Sequence, residues 1–420
     1  MKWPYGKLKF NQLLIAAVII FSGVVLSIAL LYSGFAVSDS NKNTPAAYPE
    51  MKHLSGKKLS FQELSNYFTD IAKNKGAKYA FNVLRVAPIS PDIDMHLLAH
   101  VVGDILYRQE GLNGIKICTN DFRNACSHSI VVGLFFEKGE AALTEISEAC
   151  RNAPGGSGAY TMCFHGLGHG ILAYAGYDLT KTVELCEKTG TPKYHEREYV
   201  ECVGGAIMEM VGGGFHNMEL WLRQQAVYFK DEDPLYPCTA DFMPEKARSQ
   251  CLVYLTPHLF QIAGGDLGRP GEIDFKKAFA FCERLQKGDI ENRNNCYGGF
   301  GKEFIVFALS RDIRLDAIAE AGGEEYMKIY NWCMLADNDD GKSSCIVHAV
   351  NSLYWGGEND RGIAVKFCGI IPGEDFENRR SCFLNLMDSV GFYIKDNFYR
   401  KGFCKELPKE YLETCLKKLL

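Results

Sequence analysis

Residues 141–176, AALTEISEACRNAPGGSGAYTMCFHGLGHGILAYAG, set the architecture. Ala141 to Cys150 reads as a helix ending on a cysteine, and Cys163 opens a second helix that closes at Gly176-Tyr177-Asp178. The same figure recurs along the chain. Leu179 to Cys186 and Phe275 to Cys282 also end on cysteine, while the runs from Cys202, Cys296 and Cys345 repeat the second half. The unit is helix A, tight turn, helix B, longer loop, with one cysteine closing B and another opening the next A.

The 16 cysteines fall into couples with none left over: Cys118/Cys126, Cys150/Cys163, Cys186/Cys202, Cys238/Cys251, Cys282/Cys296, Cys333/Cys345, Cys368/Cys382 and Cys404/Cys415. Members lie 8 to 16 residues apart and couples recur every 32 to 52, the period of helix-pair repeats. The expected fold is all-α: a right-handed α-solenoid of helix pairs stapled by disulfides. Two bridge patterns are geometrically open. Bridging across each B-to-A loop uses every cysteine, whereas bridging within each A/B hairpin strands Cys118 and Cys415, so parity favours the first.

The segment CTNDFRNAC from Cys118 to Cys126 and the alternating helices resemble the Sel-like, tetratricopeptide-related repeats, in particular the secreted cysteine-rich branch known from Helicobacter. The resemblance covers roughly Leu97 to the C-terminus and rests on spacing. It implies bridges from the end of helix B to the start of the next helix A, and a role in binding other molecules. Repeat lengths vary here, most loops are longer, and the turn signature of that branch survives only in pieces.

Leu13 to Val37 runs 25 residues without a charge, enough to span a bilayer as a helix. Lys2, Lys7 and Lys9 precede it, placing residues 1–12 in the cytoplasm and the bulk outside. A signal anchor is the favoured reading. A cleaved signal peptide, using Gly34 and Ala36, is the alternative, and either way the rest of the chain is extracytoplasmic. Residues 38–58 read as a flexible stalk. Residues 59–117 read as N-terminal helices capping the array, over Phe61 to Lys75 and Ala77 to Val86, and residues 118–420 hold the stapled repeats. A net charge of -5 supplies no field for nucleic acid, and no phosphate-binding loop or dinucleotide fingerprint stands in a strand-to-helix context, which excludes a nucleotide enzyme.

Histidines gather near the membrane-proximal end. His96 and His100 stand at i, i+4, with Asp104 one turn on, and His165 and His169 repeat the spacing. His96, His128 and His165 occupy equivalent positions in successive A helices, which predicts a row on one surface. Imidazoles in such a row suit zinc, copper or iron, with Asp104 or Glu209 as a carboxylate. The bland alternative is that each ring caps or packs a helix end. Gly166, Gly168 and Gly170 point either to close helix packing or to room for a ligand, since each costs roughly 0.5–1 kcal/mol in a helix. Seven residues after successive opening cysteines come Glu209, His258 and Glu303, either a polar groove or solvated positions. Glu209 is the candidate general base beside a metal-bound water.

Two functions follow. The leading one is a membrane-anchored binding scaffold for a peptide, glycan or envelope partner, as solenoids often provide. The other is a metal-binding protein or metal-dependent enzyme built on the histidine row.

Overall fold

The computed structural model describes residues 48–153, 156–214, 216–356 and 361–420. The apolar run 13–37, its flank 1–12 and residues 38–47 of the expected stalk lie outside these. Among the described residues no helix is long and apolar enough to cross a membrane. From Pro49 on the chain is packed: Met51 and Leu54 are buried, and the Glu50 carboxylate accepts from Lys75 Nζ (2.6 Å) and Tyr79 Oη (3.0 Å).

The described residues are helical, with no β-strand and only two isolated bridges. Two capping helices, α1 (Phe61–Lys75) and α2 (Ala77–Val86), coincide with the expected segments. Ser60 starts α1 with a capping box: its hydroxyl accepts from Glu63 N–H, and the Glu63 carboxylate accepts from Ser60 N–H. The following helices are α3 (Met95–Glu110), α4 (Ala125–Lys138), α5 (Leu143–Cys150), α6 (Gly156–Tyr174), α7 (Leu179–Glu187), α8 (Arg197–Gly212), α9 (Met218–Tyr228), α10 (Glu245–Ile262), α11 (Glu272–Cys282) and α12 (Ile290–Ala308). Then come α13 (Leu315–Glu320), α14 (Gly323–Cys333), α15 (Asp339–Gly356), α16 (Arg361–Ile370), α17 (Phe376–Tyr393), α18 (Asn397–Glu406) and α19 (Lys409–Leu419).

Helices α3, α4, α6, α8, α10, α12, α15 and α17 pack each against the next. The first three run the same way, since contacts advance in step: Gly103 faces Ser129 and Gly133 faces Tyr107, then Gly166 faces His128 and Gly170 faces Val132. All eight bridges join the expected couples, with Cα–Cα distances of 5.4 to 5.6 Å, and no cysteine is free. One detail differs from expectation. Except for Cys126, the second residue of α4, the second cysteine of a couple does not open its helix but lies inside it: Cys251, Cys296, Cys345, Cys382 and Cys415 are each the seventh helical residue. Six residues of helix rise about 9 Å, so the preceding helix ends against the flank of the next helix instead of its tip.

The array also meets itself. Arg311 donates to the Pro91 carbonyl and to Asp94 (both 3.3 Å), Arg314 to the carbonyls of Arg85 and Ala87 (both 3.1 Å), and Arg123 reaches Ser352 Oγ at 3.5 Å. These contacts join residues more than 200 positions apart, and the inward faces of the helices line two cavities of about 790 and 260 Å³.

Candidate metal centre

Four histidines converge in the wall between those cavities. One ring nitrogen from each of His96, His100, His128 and His169 lies within 4.8 Å of the others, and all four side chains are buried. Helix α3 supplies His96 and His100 from successive turns, with ring centroids 4.6 Å apart. His128 of α4 lies 5.4 Å from His96, and His169 of α6 lies 5.5 Å from His100. Glycine makes the room: a Cβ on Gly166 would fall 2.4 Å from His128 Cδ2. The other glycines of that segment serve packing, since a Cβ on Gly168 would strike the Cys202 carbonyl of α8 at 1.9 Å.

The outer nitrogens of three rings have partners, and for His96 and His169 these settle the tautomer. His96 Nδ1 donates to the Phe122 carbonyl at 2.7 Å, which leaves Nε2 with a lone pair. The Ser129 hydroxyl lies 3.1 Å from the His100 carbonyl and 3.0 Å from His100 Nδ1, and its rotatable hydrogen can serve either. His169 Nδ1 donates to Glu209 at 3.1 Å, and its Nε2 has no hydrogen-bond partner among the described residues. Among those residues neither nitrogen of His128 has one. The Nε2 atoms of His96 and His100 lie 3.1 Å apart, a hydrogen bond when His100 carries its proton on Nε2 and two converging lone pairs when it carries it on Nδ1.

Burial opposes charging these rings. Desolvation, reinforced by His169, lowers His96 to about 4, and desolvation with repulsion from neighbouring histidines holds His100 and His128 well below the ordinary 6.5. Neutral imidazole with a free nitrogen is the form that ligates a metal.

The Phe122 carbonyl comes from a costly turn. Phe122, Arg123 and Asn124 have φ of 56°, 53° and 64°, a left-handed conformation that costs of order 1–3 kcal/mol per non-glycine residue. Its surroundings enforce it. The Cys118–Cys126 bridge spans the turn, and buried Asp121 pairs with Arg85 (2.8 Å) and accepts from Thr119 (2.8 Å) and from Leu315 N–H (3.3 Å).

The expected site residues separate here. His165 belongs to the predicted row, 5.7 Å from His128, but flanks the four donors: its ring tilts over Tyr254 at 4.6 Å and its Nε2 lies 3.4 Å from Met208 Sδ. Asp104 stands outside them too, because it lies one turn beyond His100, a rise of about 6 Å. Burial raises it to about 6. Both Glu209 oxygens are engaged, one by His169 and the other by Gly214 N–H at 2.9 Å. Glu209 and Glu303 line the smaller cavity, while His258 stacks on Phe229 at 4.1 Å, so the three do not form one stripe. Sequence reasoning missed Phe122, Ser129 and Arg123. Ser129 had a signal, since it stands three residues after Cys126, where Gly166, Gly205 and Gly299 follow Cys163, Cys202 and Cys296.

No protein-family model, curated protein or solved structure significantly matches the chain.

Proposed function

We propose that the protein binds one divalent first-row transition metal, zinc, copper or iron, through His96, His100, His128 and His169. The observation that carries this reading is the convergence of four buried ring nitrogens, drawn from three helices, within 4.8 Å of one another. Burial keeps the His96, His100 and His128 rings neutral, the ligating form, and a metal satisfies the nitrogens of His128 and His169 that have no hydrogen-bond partner among the described residues.

The donor chemistry fits. Neutral imidazoles select zinc, copper or iron over magnesium or calcium, and every thiol is committed to a bridge. Metal-bound histidines typically donate the other ring proton to a carbonyl, hydroxyl or carboxylate; the Phe122 carbonyl and Glu209 accept here, and Ser129 Oγ stands 3.0 Å from His100 Nδ1 for the same role. We therefore read Glu209 as the group that orients His169, in place of the general base expected from its position. A tetrahedral zinc with bonds of about 2.0–2.1 Å holds its nitrogens about 3.4 Å apart, so the 4.8 Å cluster closes by rotamer shifts of about 1 Å.

We rank this above the binding scaffold because four buried ring nitrogens from three helices converge within 4.8 Å of one another, a donor set suited to an ion and of no use to a peptide or glycan partner. In this reading the helix pairs form a solenoid related to the Sel-like repeats and curled shut. The 13–37 run anchors it, and the eight bridges suit an oxidising compartment outside the cytoplasm. The test uses the full chain, purified without reductant, stripped of metal and reloaded separately with each candidate. One ion per chain is expected, and none in the variant with all four histidines changed to alanine. Metal content unchanged by that variant, or well below one for every ion, sinks the reading.

A further inference from the structure

Five residues line both cavities: His96, Arg123, Met208, Tyr254 and Lys302. The partition between the chambers thus carries one proposed metal ligand and two cations on a single lining. The cations differ in how they are held. Lys302 pairs with Glu303, both side chains only 12% exposed, and its ammonium lies 4.6 Å from the centre of the Tyr254 ring. Arg197, further along the larger cavity, pairs with Glu201. Arg123 has no carboxylate within ion-pair distance among the described residues, and its one polar contact is the 3.5 Å approach to Ser352 Oγ. Its backbone is the middle of the left-handed turn, so its placement is enforced from outside the cavity.

An arginine fork that faces a cavity and is paired with no acid is ready for a bidentate oxyanion. The local charges call for one. Glu201 and Glu303 balance Arg197 and Lys302, and Glu209 is engaged by His169, while a divalent ion on four neutral imidazoles adds two positive charges beside Arg123. Asp388, the other acid of the larger cavity's lining, pairs with Lys418 at 2.7 Å, and Asp104 lines neither cavity.

We propose that the larger cavity is a binding site for a small-molecule oxyanion, a carboxylate or a phosphate, which Arg123 grips bidentately, the ammonium of the Lys302–Glu303 pair contacts, and the metal takes as a fifth donor beyond the four histidines. The metal contact rests on the metal-binding reading; the Arg123 contact does not. A chamber of about 790 Å³ lies within the range of small-molecule sites, and Met162, Met387 and Phe392 give it apolar wall for the remainder of such a ligand.

The experiment is calorimetric titration of the full chain with acetate and, separately, inorganic phosphate, in metal-loaded and metal-stripped forms, for wild type, Arg123→Gln and Lys302→Gln. The metal-loaded wild type is expected to bind one anion, at least 10-fold more tightly than the stripped form. Arg123→Gln is expected to weaken binding at least 10-fold in both forms with metal stoichiometry unchanged, and Lys302→Gln to weaken it less. The acetate and phosphate arms decide which oxyanion is preferred. In the cobalt-loaded protein the visible spectrum is expected to shift on anion addition in proportion to the calorimetric saturation. Binding to the stripped protein that Arg123→Gln abolishes upholds the anion site even if the metal reading fails. No binding of either anion, or binding indifferent to Arg123→Gln, overturns it while leaving the metal reading intact.

Discussion

His128 and His348 are seated in the same way and have different surroundings. A Cβ on Gly166 would lie 2.4 Å from His128 Cδ2, and one on Gly298 would lie 2.3 Å from His348 Cδ2. Each ring lies against a neighbouring helix where a side chain is missing. Around His128 stand His96, His100, His165 and His169; around His348 stand the charges of Arg197 and Lys302. A ring among neutral imidazoles adds a lone pair to a converging set, whereas a ring among cations faces a field that repels a metal. Histidine over glycine is therefore a packing device, and the residues opposite decide whether it becomes a site.

The largest expected effect separates the two rings directly. His128→Ala should weaken metal binding by more than the roughly 10–100-fold that losing an orienting partner costs, and His348→Ala should leave metal content at the wild-type level. Competition with a chelating dye measures both, and equal losses would erase the distinction. Next come the glycines beneath the rings. Gly166→Ala and Gly298→Ala each force a methyl into a filled contact and should each lower stability by about 1–3 kcal/mol in thermal unfolding. Only Gly166→Ala should also lose metal, because it displaces a ligand. Retention of metal by Gly166→Ala would mean that His128 is dispensable.

Smaller effects concern the supports. Ser129→Ala and Glu209→Ala remove the partners that orient His100 and His169, and should each cost about 10–100-fold in metal affinity. A Glu209→Ala protein with full affinity would return the residue to the role of a free base.

The smallest effect is on acid stability, measured on metal-free protein. Burial holds His348 at about 4 when folded, against 6.5 ordinarily, and Arg197 and Lys302 add to the shift; His96 is likewise held at about 4. Between pH 6.5 and about 4 the unfolded chain takes up protons that the folded chain refuses, so stability falls as pH falls through this window and levels off below it. Denaturant midpoints across it should slope less for His348→Asn, by up to one proton. An unchanged slope would show that His348 titrates normally.

Much of the site was visible before the fold. HLLAH and HGLGH name four of the five clustered rings, and the alignment on Cys126 and Cys163 supplies His128. Their supports were not visible. The Phe122 carbonyl is a backbone atom whose direction depends on a left-handed turn, and Arg123 carries no motif. His165 and His169 both satisfy the helical spacing, so sequence could not choose between them.

What the sequence determined by itself is local: helices from periodicity and caps, bridges from couples 8 to 16 residues apart, and histidine pairs from the rise of a helix. Neighbouring residues impose these features whatever the rest of the chain does. Only the tertiary structure decided that His169 of α6 meets His100 of α3 across an intervening helix, and that residues near 90 meet residues near 311. Helices packed about 8–10 Å apart in a flat row would hold α3 and α6 too far apart for their rings to share one ion. Curvature brings them together. It accumulates from many small contacts, such as Gly168 on Cys202 and Gly205 on His165, each sensitive to a single methyl group and none of them written in one short stretch of chain.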